Sequence, residues 1–178
     1  MDDLTQLALA AGDGDRAALE RFVQVAQPDV WRLCSHLVGG NQADDLCQEA
    51  FVRAIGGLGR FRGDSSARTW LMAITRHTCI DSIRATQRRR GLAARLSSHP
   101  QESSPSREGE VELDALLSSL EQDRRVAFVL TQLIGLSYQD AAEVCDCPIG
   151  TIRSRVARAR ADLLVAVEPR EGRRSAGE

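Results

Sequence analysis

The sequence predicts an all-α fold of two small helical domains joined by a flexible linker. Three observations predict it. Apolar residues recur at helical rather than alternating spacing, aromatic residues make up only 4% of the 178 residues, and the stretch 97–109 contains no apolar side chain. We place the first domain at residues 1–92, the linker at 93–112, the second domain at 113–168 and a polar tail at 169–178. The second domain is predicted to carry a helix-turn-helix.

The first domain is predicted to consist of helices separated by breaks. Asn41 is a candidate N-cap for the third helix, because an asparagine side chain can accept hydrogen bonds from the first free backbone N–H groups. The predicted elements, in chain order, are two helices between Leu4 and Val38 with breaks near Gly12–Gly14 and Pro28, a helix from Gln42 to Ile55, a loop from Arg62 to Ser66 and a long helix from Ala67 to Arg89.

The stretch from Ser137 to Arg160 predicts two short helices joined by a tight turn. Ser137 can cap the first helix, and Pro148 can begin but not continue the second. Four apolar residues recur at helical spacing and predict a buried stripe on the second helix: Ile149, Ile152, Val156 and Leu163. The arginines of this helix lie mostly off that stripe. A helix-turn-helix whose second helix lies in a DNA major groove explains this pattern. The alternative is a solvated basic helix on an ordinary bundle.

The net charge of −2 hides a strong segregation of charge along the chain. Residues 60–95 contain nine arginines and two acids, whereas residues 1–59 contain nine acids and four arginines. Residues 96–124 are again acidic, with seven acids and two arginines. Basic blocks inside a near-neutral chain predict two localised nucleic-acid contacts.

Composition also argues against several classes of protein. No apolar run reaches the ~20 residues of a membrane span, and the acidic N-terminus is unlike a signal peptide, so a cytoplasmic location is expected. Four of the five cysteines are expected to be small buried residues, whereas Cys147 lies near the start of the second helix of the helix-turn-helix. Neither a disulfide framework nor a metal site is expected from the cysteines. No catalytic set of nucleophile, base and orienting residue is evident and no phosphate-binding loop occurs, so neither an enzyme nor a cofactor is expected.

The helix from Ala43 to Ala54 has two faces. Asp45, Gln48 and Glu49 have i, i+3 and i+4 spacing and therefore share one exposed face. Simple solvation explains most faces of this kind, and a protein partner is the alternative.

Three segments together resemble the successive signatures of a known family. The segments ADDLCQEAFVRA, RFRGDSSARTWLMAITRHTCIDSIR and LSYQDAAEVCDCPIGTIRSRVARARADLL are similar, in this order, to bacterial sigma-70 family RNA polymerase sigma factors. The two-domain architecture is similar to the extracytoplasmic-function group (group IV), of the actinobacterial type. The resemblance implies a factor that binds core RNA polymerase and directs initiation at promoters with −35 and −10 elements.

The resemblance assigns roles to particular residues. The face of Asp45, Gln48 and Glu49 is expected to bind core RNA polymerase. His77 stands where the family commonly has Asn, which leaves its base contact open, and Trp70 either packs in the core or stacks on a base. The residues expected to hold single-stranded −10 DNA are Arg62, Gly63, Asp64, Ser65, Ser66, Arg68, Arg76, His77 and Arg84.

The helix-turn-helix is expected to read the −35 duplex. Arginine can bind guanine through two hydrogen bonds, whereas serine and threonine more often contact phosphate. The residues predicted for this contact are Thr151, Arg153, Ser154, Arg155 and Arg158. The expected partners are thus core RNA polymerase and promoter DNA, and the family also allows an anti-sigma protein.

Two other functions compete with this interpretation. An autonomous helix-turn-helix repressor would usually be a dimer on a palindromic site, and no dimerisation helix is evident. A DNA-modifying enzyme would need acidic or histidine clusters near the basic blocks, and none is seen.

Overall fold

The computed structural model describes residues 2–96 and 108–167, and within these ranges the chain forms helices and no strand. The predicted all-α class is confirmed. Residues 97–107 of the predicted linker and the predicted polar tail, 169–178, lie outside the described residues. The helices are α1 (Asp3–Gly12), α2 (Arg16–Val38), α3 (Gly40–Gly57), α4 (Ala67–Leu96), α5 (Glu108–Ser118), α6 (Gln122–Phe128), α7 (Tyr138–Cys145) and α8 (Ile149–Val167).

Helix α2 is the centre of the first domain, because α1, α3 and α4 all pack against it. Its apolar stripe includes Phe22, Val30 and Leu33, which are completely buried, and Leu71 of α4 is equally buried beside them. Gly12 permits the close approach of α1 to the 3-10 turn that follows α3, since a Cβ at this position would lie 2.7 Å from the carbonyl oxygen of Leu58. Long apolar side chains of α2 and α4 thus fill this core together with Leu46 and Phe51 of α3, and Gly12 allows α1 to approach closely.

Pro28 does not break α2, and the predicted interruption there is wrong. The helix runs through Pro28 from Arg16 to Val38. An internal proline removes one backbone hydrogen bond and costs about 3 kcal/mol. The burial of Phe22 before the proline and of Leu33 after it offsets this cost, because a continuous helix keeps both side chains on one face. The predicted break between α1 and α2 is present: Asp15 caps α2 by accepting hydrogen bonds from the N–H groups of residues 17 and 18.

Asn41 is not the N-cap of α3, which corrects a second prediction. The helix begins at Gly40, its N-cap is Gly39, and Asn41 therefore lies within the first turn. Gly39 has φ of +86°, in the left-handed region that glycine adopts without steric strain. The chain consequently turns at Gly39, earlier than a side-chain cap would place the start.

The second domain consists of α5 to α8, with a π-helical turn from Val129 to Leu133 after α6. Its core includes Leu117, Leu130, Ile152 and Val156, all completely or almost completely buried. Within the predicted linker, α4 extends to residue 96 and α5 starts at residue 108. None of the helices in the two described ranges is long and apolar enough to cross a membrane.

The two domains pack against each other, chiefly through α4 with α7 and α2 with α5. Hydrogen bonds between residues that the structure describes cross from one domain to the other. They join Arg68 Nη2 to the Ile134 carbonyl (2.7 Å), Thr69 Oγ1 to Asp140 Oδ1 (3.3 Å), His36 Nδ1 to Asp114 Oδ1 (3.2 Å) and Arg125 Nη1 to the Leu37 carbonyl (3.3 Å). We call this packed form of the two domains the closed arrangement.

Truncating the largest buried side chain of α2 tests the assignment of the core. We expect Phe22→Ala to lower the free energy of unfolding by about 3–5 kcal/mol, because it leaves a cavity among side chains of α2 and its neighbours. The measurement is urea denaturation followed by circular dichroism. The control is Val52→Ala, because Val52 is 71% exposed and its truncation should change stability by less than about 0.5 kcal/mol. Equal effects of the two substitutions would contradict this core.

Four of the five cysteines are buried, as predicted, and Cys147 is half-buried. The Sγ atoms of Cys79 and Cys34 are 3.6 Å apart; this thiol hydrogen bond, together with burial, raises the pKa of Cys34 well above its ordinary range. Burial raises the pKa values of Cys47 and Cys145 to about 11 each.

Because the thiolate is the reactive form, the cysteines should differ in their rate of alkylation. We expect iodoacetamide at pH 8 to modify Cys147 first in the native protein and the four buried cysteines only on unfolding. Peptide mass spectrometry after timed quenching measures this order. Early modification of Cys34 would show that the first domain opens on the timescale of the reaction.

Candidate nucleic-acid interface

Helices α7 and α8 form the predicted helix-turn-helix. The Ser137 hydroxyl caps α7 by accepting a hydrogen bond from the N–H of Asp140 at 3.0 Å. Asp146 ends α7 with φ of +49°, a left-handed conformation that aspartate tolerates better than most residues. Ile152 and Val156 bury one face of α8. The turn and this burial fix the direction of α8 and leave its opposite face in solvent.

The exposed face of α8 carries most of the residues predicted to contact the −35 element. Arg153, Ser154 and Arg158 are exposed, and Thr151 is half-buried. The Ser154 hydroxyl donates a hydrogen bond to the Thr151 carbonyl at 2.9 Å. Arg153 and Arg158 make no hydrogen bond or ion pair with other residues that the structure describes, so both guanidinium groups are available to a ligand.

Arg155, predicted on the same helix, is held within the domain instead. Its Nη2 makes a short ion pair with Asp123 at the start of α6, and its Nη1 lies 3.7 Å from Cys147 Sγ. Arg160 similarly donates to Gln132 Oε1 at 2.7 Å. The arginines of α8 thus fall into two pairs. Arg153 and Arg158 have no partner among the described residues, whereas Arg155 and Arg160 bond to residues outside α8.

Four of the residues predicted to hold −10 DNA are exposed in the first domain: Arg62, Asp64, His77 and Arg84. His77 Nδ1 lies 2.8 Å from the Ala73 carbonyl. A carbonyl only accepts, so Nδ1 carries the proton in this contact, and in the neutral ring Nε2 is an acceptor. A base with an N–H donor could therefore bind His77 where the family commonly has Asn.

The loop before α4 is ordered by its own hydrogen bonds. The Ser66 hydroxyl accepts from the N–H of Thr69 at 3.0 Å and thereby caps α4. Gly63 and Ser65 are half-buried, so the loop is partly packed against the domain. Trp70 is half-buried, with its ring centroid 4.9 Å from that of Phe61. This aromatic contact favours the core role of the tryptophan over stacking on a base.

Arg68 and Arg76, the remaining −10 candidates, face the second domain in the closed arrangement. Arg68 bonds Asp29 Oδ2 at 2.8 Å and the Ile134 carbonyl at 2.7 Å. Arg76 is half-buried with its Nε atom lacking a hydrogen-bond partner, and its charge acts on the Cys145 thiol of α7. The second domain therefore covers part of the predicted −10 surface, whereas Arg153 and Arg158 stay exposed.

The predicted docking face of α3 is in solvent. Asp45, Gln48 and Glu49 are all exposed. Glu49 Oε1 pairs with Arg53 Nη2 at 2.5 Å, and Arg53 also reaches Asp81 at 3.4 Å. Asp45 and Gln48 form no hydrogen bond or ion pair with the rest of the described chain.

Two apolar residues continue this face and were not among the predicted site residues. Val52 is 71% exposed and Ile55 is 41% exposed. Val52 lies four residues after Gln48 and three after Glu49, so the same spacing argument could have found it. Exposed apolar side chains bordered by acids are typical of a protein-binding face rather than of a solvated one.

Both domains match models of known protein families. Residues 22–89 match the model described as Sigma-70 region 2, and residues 110–163 match that of Sigma-70, region 4. The matches cover α4 in the first case and the helix-turn-helix in the second, so both predicted DNA-binding elements fall within sigma-factor regions.

Similar proteins support the same assignment. The chain is 49% identical over 170 residues to the ECF RNA polymerase sigma factor SigC of Mycobacterium tuberculosis, covering 93% of this chain and 92% of the relative. It is 35% identical over 171 residues to the ECF RNA polymerase sigma-E factor of Escherichia coli, with 88% and 90% covered. The chain belongs to the extracytoplasmic-function sigma factors. The predicted resemblance to this group, of the actinobacterial type, is thereby confirmed.

Two of the similar solved structures match most of the chain. One is CnrH in complex with the cytosolic domain of CnrY, with a TM-score of 0.75, 26% identity and coverage of 93% of this chain and 97% of that one. The other is the sigma factor RpoE in complex with the anti-sigma factor NepR from Bartonella quintana, with a TM-score of 0.69, 29% identity and coverage of 84% and 97%.

The family settles the choice between the competing functions. Sigma factors of this group bind core RNA polymerase and promoter DNA, so these two predicted partners are confirmed and the autonomous repressor is not favoured. They are DNA-binding regulatory proteins that act on RNA polymerase in the cytoplasm. Among the described residues, no three or more His, Cys, Asp or Glu side chains form a group that could hold a metal ion.

Proposed function

We propose that this sigma factor binds core RNA polymerase through α3, contacts the −35 duplex with α8 and holds unpaired −10 bases with α4 and the loop before it. The observation that carries the proposal is that three chemically suited surfaces lie on three different helices, those of α3 and α8 exposed and that of α4 exposed in part. The face of α3 is acidic and apolar, whereas α8 and the end of α4 are basic. Since no surface serves two roles, one chain can hold the polymerase and both promoter elements together.

In the −35 contact, Arg153 and Arg158 are the candidates for reading bases. Both are exposed and unpaired within the described part of the chain, so neither must give up an ion pair to bind DNA. Arg155 instead positions α8 through its pair with Asp123. Thr151 and Ser154 lie beside the exposed arginines and suit phosphate contacts.

In the −10 contact, the protein supplies binding free energy rather than chemistry. A single strand is held by a basic track and by groups that accept flipped bases. Arg62 and Arg84 provide exposed charge, and His77 provides a ring that can accept a hydrogen bond or stack. On this proposal the chain is a regulatory subunit and not an enzyme, and it acts in the cytoplasm with the polymerase.

Run-off transcription tests the proposal. Purified core RNA polymerase is supplied with genomic DNA fragments, with and without this protein, and the start sites are mapped. Discrete starts that require the protein and share two upstream motifs are the expected result. Sequence-specific binding of the protein alone without new starts would overturn the proposal and restore the repressor.

The closed arrangement must open before α4 can bind DNA, because the second domain lies over Arg68 and Arg76. We expect Asp114→Arg to open it, since the change removes the acceptor of His36 across the domain contact and puts a cation in its place. Loss of a partly buried hydrogen-bond partner costs about 1–3 kcal/mol, so the ratio of open to closed molecules should rise at least about fivefold. Energy transfer between dyes on the two domains measures this ratio.

A matched variant separates this effect from the added charge alone. Ala115→Arg places an arginine at the next, exposed position of α5 and should leave energy transfer unchanged. Equal transfer in the wild type, Asp114→Arg and Ala115→Arg would show that the closed arrangement does not depend on this contact.

We also propose that an anti-sigma protein regulates this chain. The support is that one structural neighbour, RpoE of Bartonella quintana, was solved with an anti-sigma factor and resembles this chain over 84% of its length.

A further inference from the structure

A cavity of about 340 Å³ lies where the two domains meet, near the ends of α2 and α4 and the start of α6. Its volume is at the lower end of the range typical of small-molecule sites. Side chains from both domains form its wall, so the cavity exists only in the closed arrangement. They are Leu37, Val38, Gln42, Ile83, Thr86, Gln87, Arg90, Leu120, Gln122 and Arg125.

The charged side chains that the structure describes in this wall are both cationic. Arg90 comes from α4 and Arg125 from α6, and no acid is among the described lining residues. Arg125 donates to backbone carbonyls of both domains, yet its buried Nε atom has no acceptor within the described part of the chain. Burial lowers the pKa of Arg125, and Asp114 opposes this only in part. The protein therefore surrounds a cation that it does not fully compensate.

The rest of the wall is suited to a small organic body. Leu37, Val38, Ile83 and Leu120 give it an apolar part. The wall is completed by the side-chain amide and hydroxyl groups of Gln42, Thr86, Gln87 and Gln122. These groups can form hydrogen bonds with ring or sugar atoms of a ligand. Of the ten lining residues that the structure describes, six are polar or charged, so the wall suits a polar ligand with several hydrogen-bonding groups.

We propose that this cavity binds a small phosphorylated organic molecule of nucleotide type, with its phosphate between Arg90 and Arg125. Arginine binds phosphate through charge-assisted hydrogen bonds, and Arg90 is exposed where it lines the cavity. Such a ligand contacts both domains and so favours the closed arrangement. If the proposed −10 role of α4 is correct, the ligand opposes promoter opening, because the second domain then stays over Arg68 and Arg76.

Isothermal titration of the full chain with adenosine and guanosine 5′-mono- and diphosphates tests the binding without polymerase. We expect one site per chain, and a rise in Tm of roughly 5–10 °C when the nucleotide is at about 100 times its Kd. Adenosine alone and inorganic phosphate alone separate the body from the anion, and each should bind at least tenfold more weakly. Absence of heat and of a Tm shift with all four nucleotides would overturn the proposal. Equal affinity for inorganic phosphate would reduce the site to a simple anion site and overturn the organic ligand.

Two variants test whether the ligand bridges the domains. Arg90→Glu and Gln122→Glu place a carboxylate on the first-domain and second-domain walls, and each should weaken binding at least tenfold. Arg88→Glu, the same charge change on α4 outside the cavity wall, should alter affinity less than twofold. Circular dichroism confirms that each variant is folded. A loss with Arg90→Glu alone, or an equal loss with Arg88→Glu, would overturn a bridging site even if transcription by the protein is normal.

Discussion

Asp45→Arg combined with Glu49→Arg is expected to abolish sigma-dependent transcription by preventing the binding of core RNA polymerase. Both residues lie on the exposed face of α3, beside Gln48 and Val52. Reversing two charges in a complementary interface replaces attraction by repulsion, which costs several kcal/mol. The affinity for core polymerase should therefore fall by roughly two to three orders of magnitude. Titration of labelled protein with core polymerase, followed by fluorescence anisotropy, measures this loss.

A second double substitution controls for the change of net charge. Asp13→Arg with Glu20→Arg reverses two exposed acids away from α3, and we expect core binding within a factor of two of the wild type. The thermal stability of both proteins should be similar, because none of the four acids is buried. Unchanged core binding in the α3 variant would place the polymerase contact elsewhere and contradict the proposed docking face.

The hydrophobic pattern was sufficient to predict most of the helices, because each buries one continuous stripe. Ile152 and Val156 on α8 are the plainest case. The errors came from local residue rules that the tertiary structure overrides. Pro28 was expected to break a helix, but burial on both sides of it keeps α2 continuous. Asn41 was expected to cap α3, but the backbone turns earlier at Gly39.

The candidate site was predictable where it depends on one helix and unpredictable where it depends on two. Spacing along α3 and α8 is enough to show which residues share a face. It cannot show that Asp123 of α6 pairs with Arg155, or that Arg76 lies beside Cys145 of the other domain. The two residues of each contact lie far apart in the sequence. The sequence around each of them is equally compatible with a side chain that is exposed to solvent, so the contact could not be predicted.

The pairing of Arg155 leads to the second large effect, on recognition of the −35 element. We expect Arg153→Ala or Arg158→Ala to lower −35-dependent transcription by about 5- to 150-fold each. The reason is that a bidentate arginine–guanine contact is worth about 1–3 kcal/mol. The affinity for core RNA polymerase should be unchanged, since both residues lie on α8 and not on the proposed docking face of α3. Multiple-round transcription on promoters with and without an intact −35 element measures the loss.

The role of each arginine can be separated by substitution with lysine, which keeps the charge but not the planar fork. If Arg158 reads a base, Arg158→Lys should be nearly as defective as Arg158→Ala; if it contacts phosphate, lysine should restore most of the activity. Arg155→Ala should act differently. Because the pair with Asp123 is partly buried, its loss should lower the free energy of unfolding by about 1 kcal/mol after allowance for solvent screening, and the Tm should fall with it. Equal transcription defects of Arg153, Arg155 and Arg158 with unchanged Tm would contradict the division between reading and positioning arginines. Arg155 would then have to leave Asp123 and turn toward DNA in the bound state.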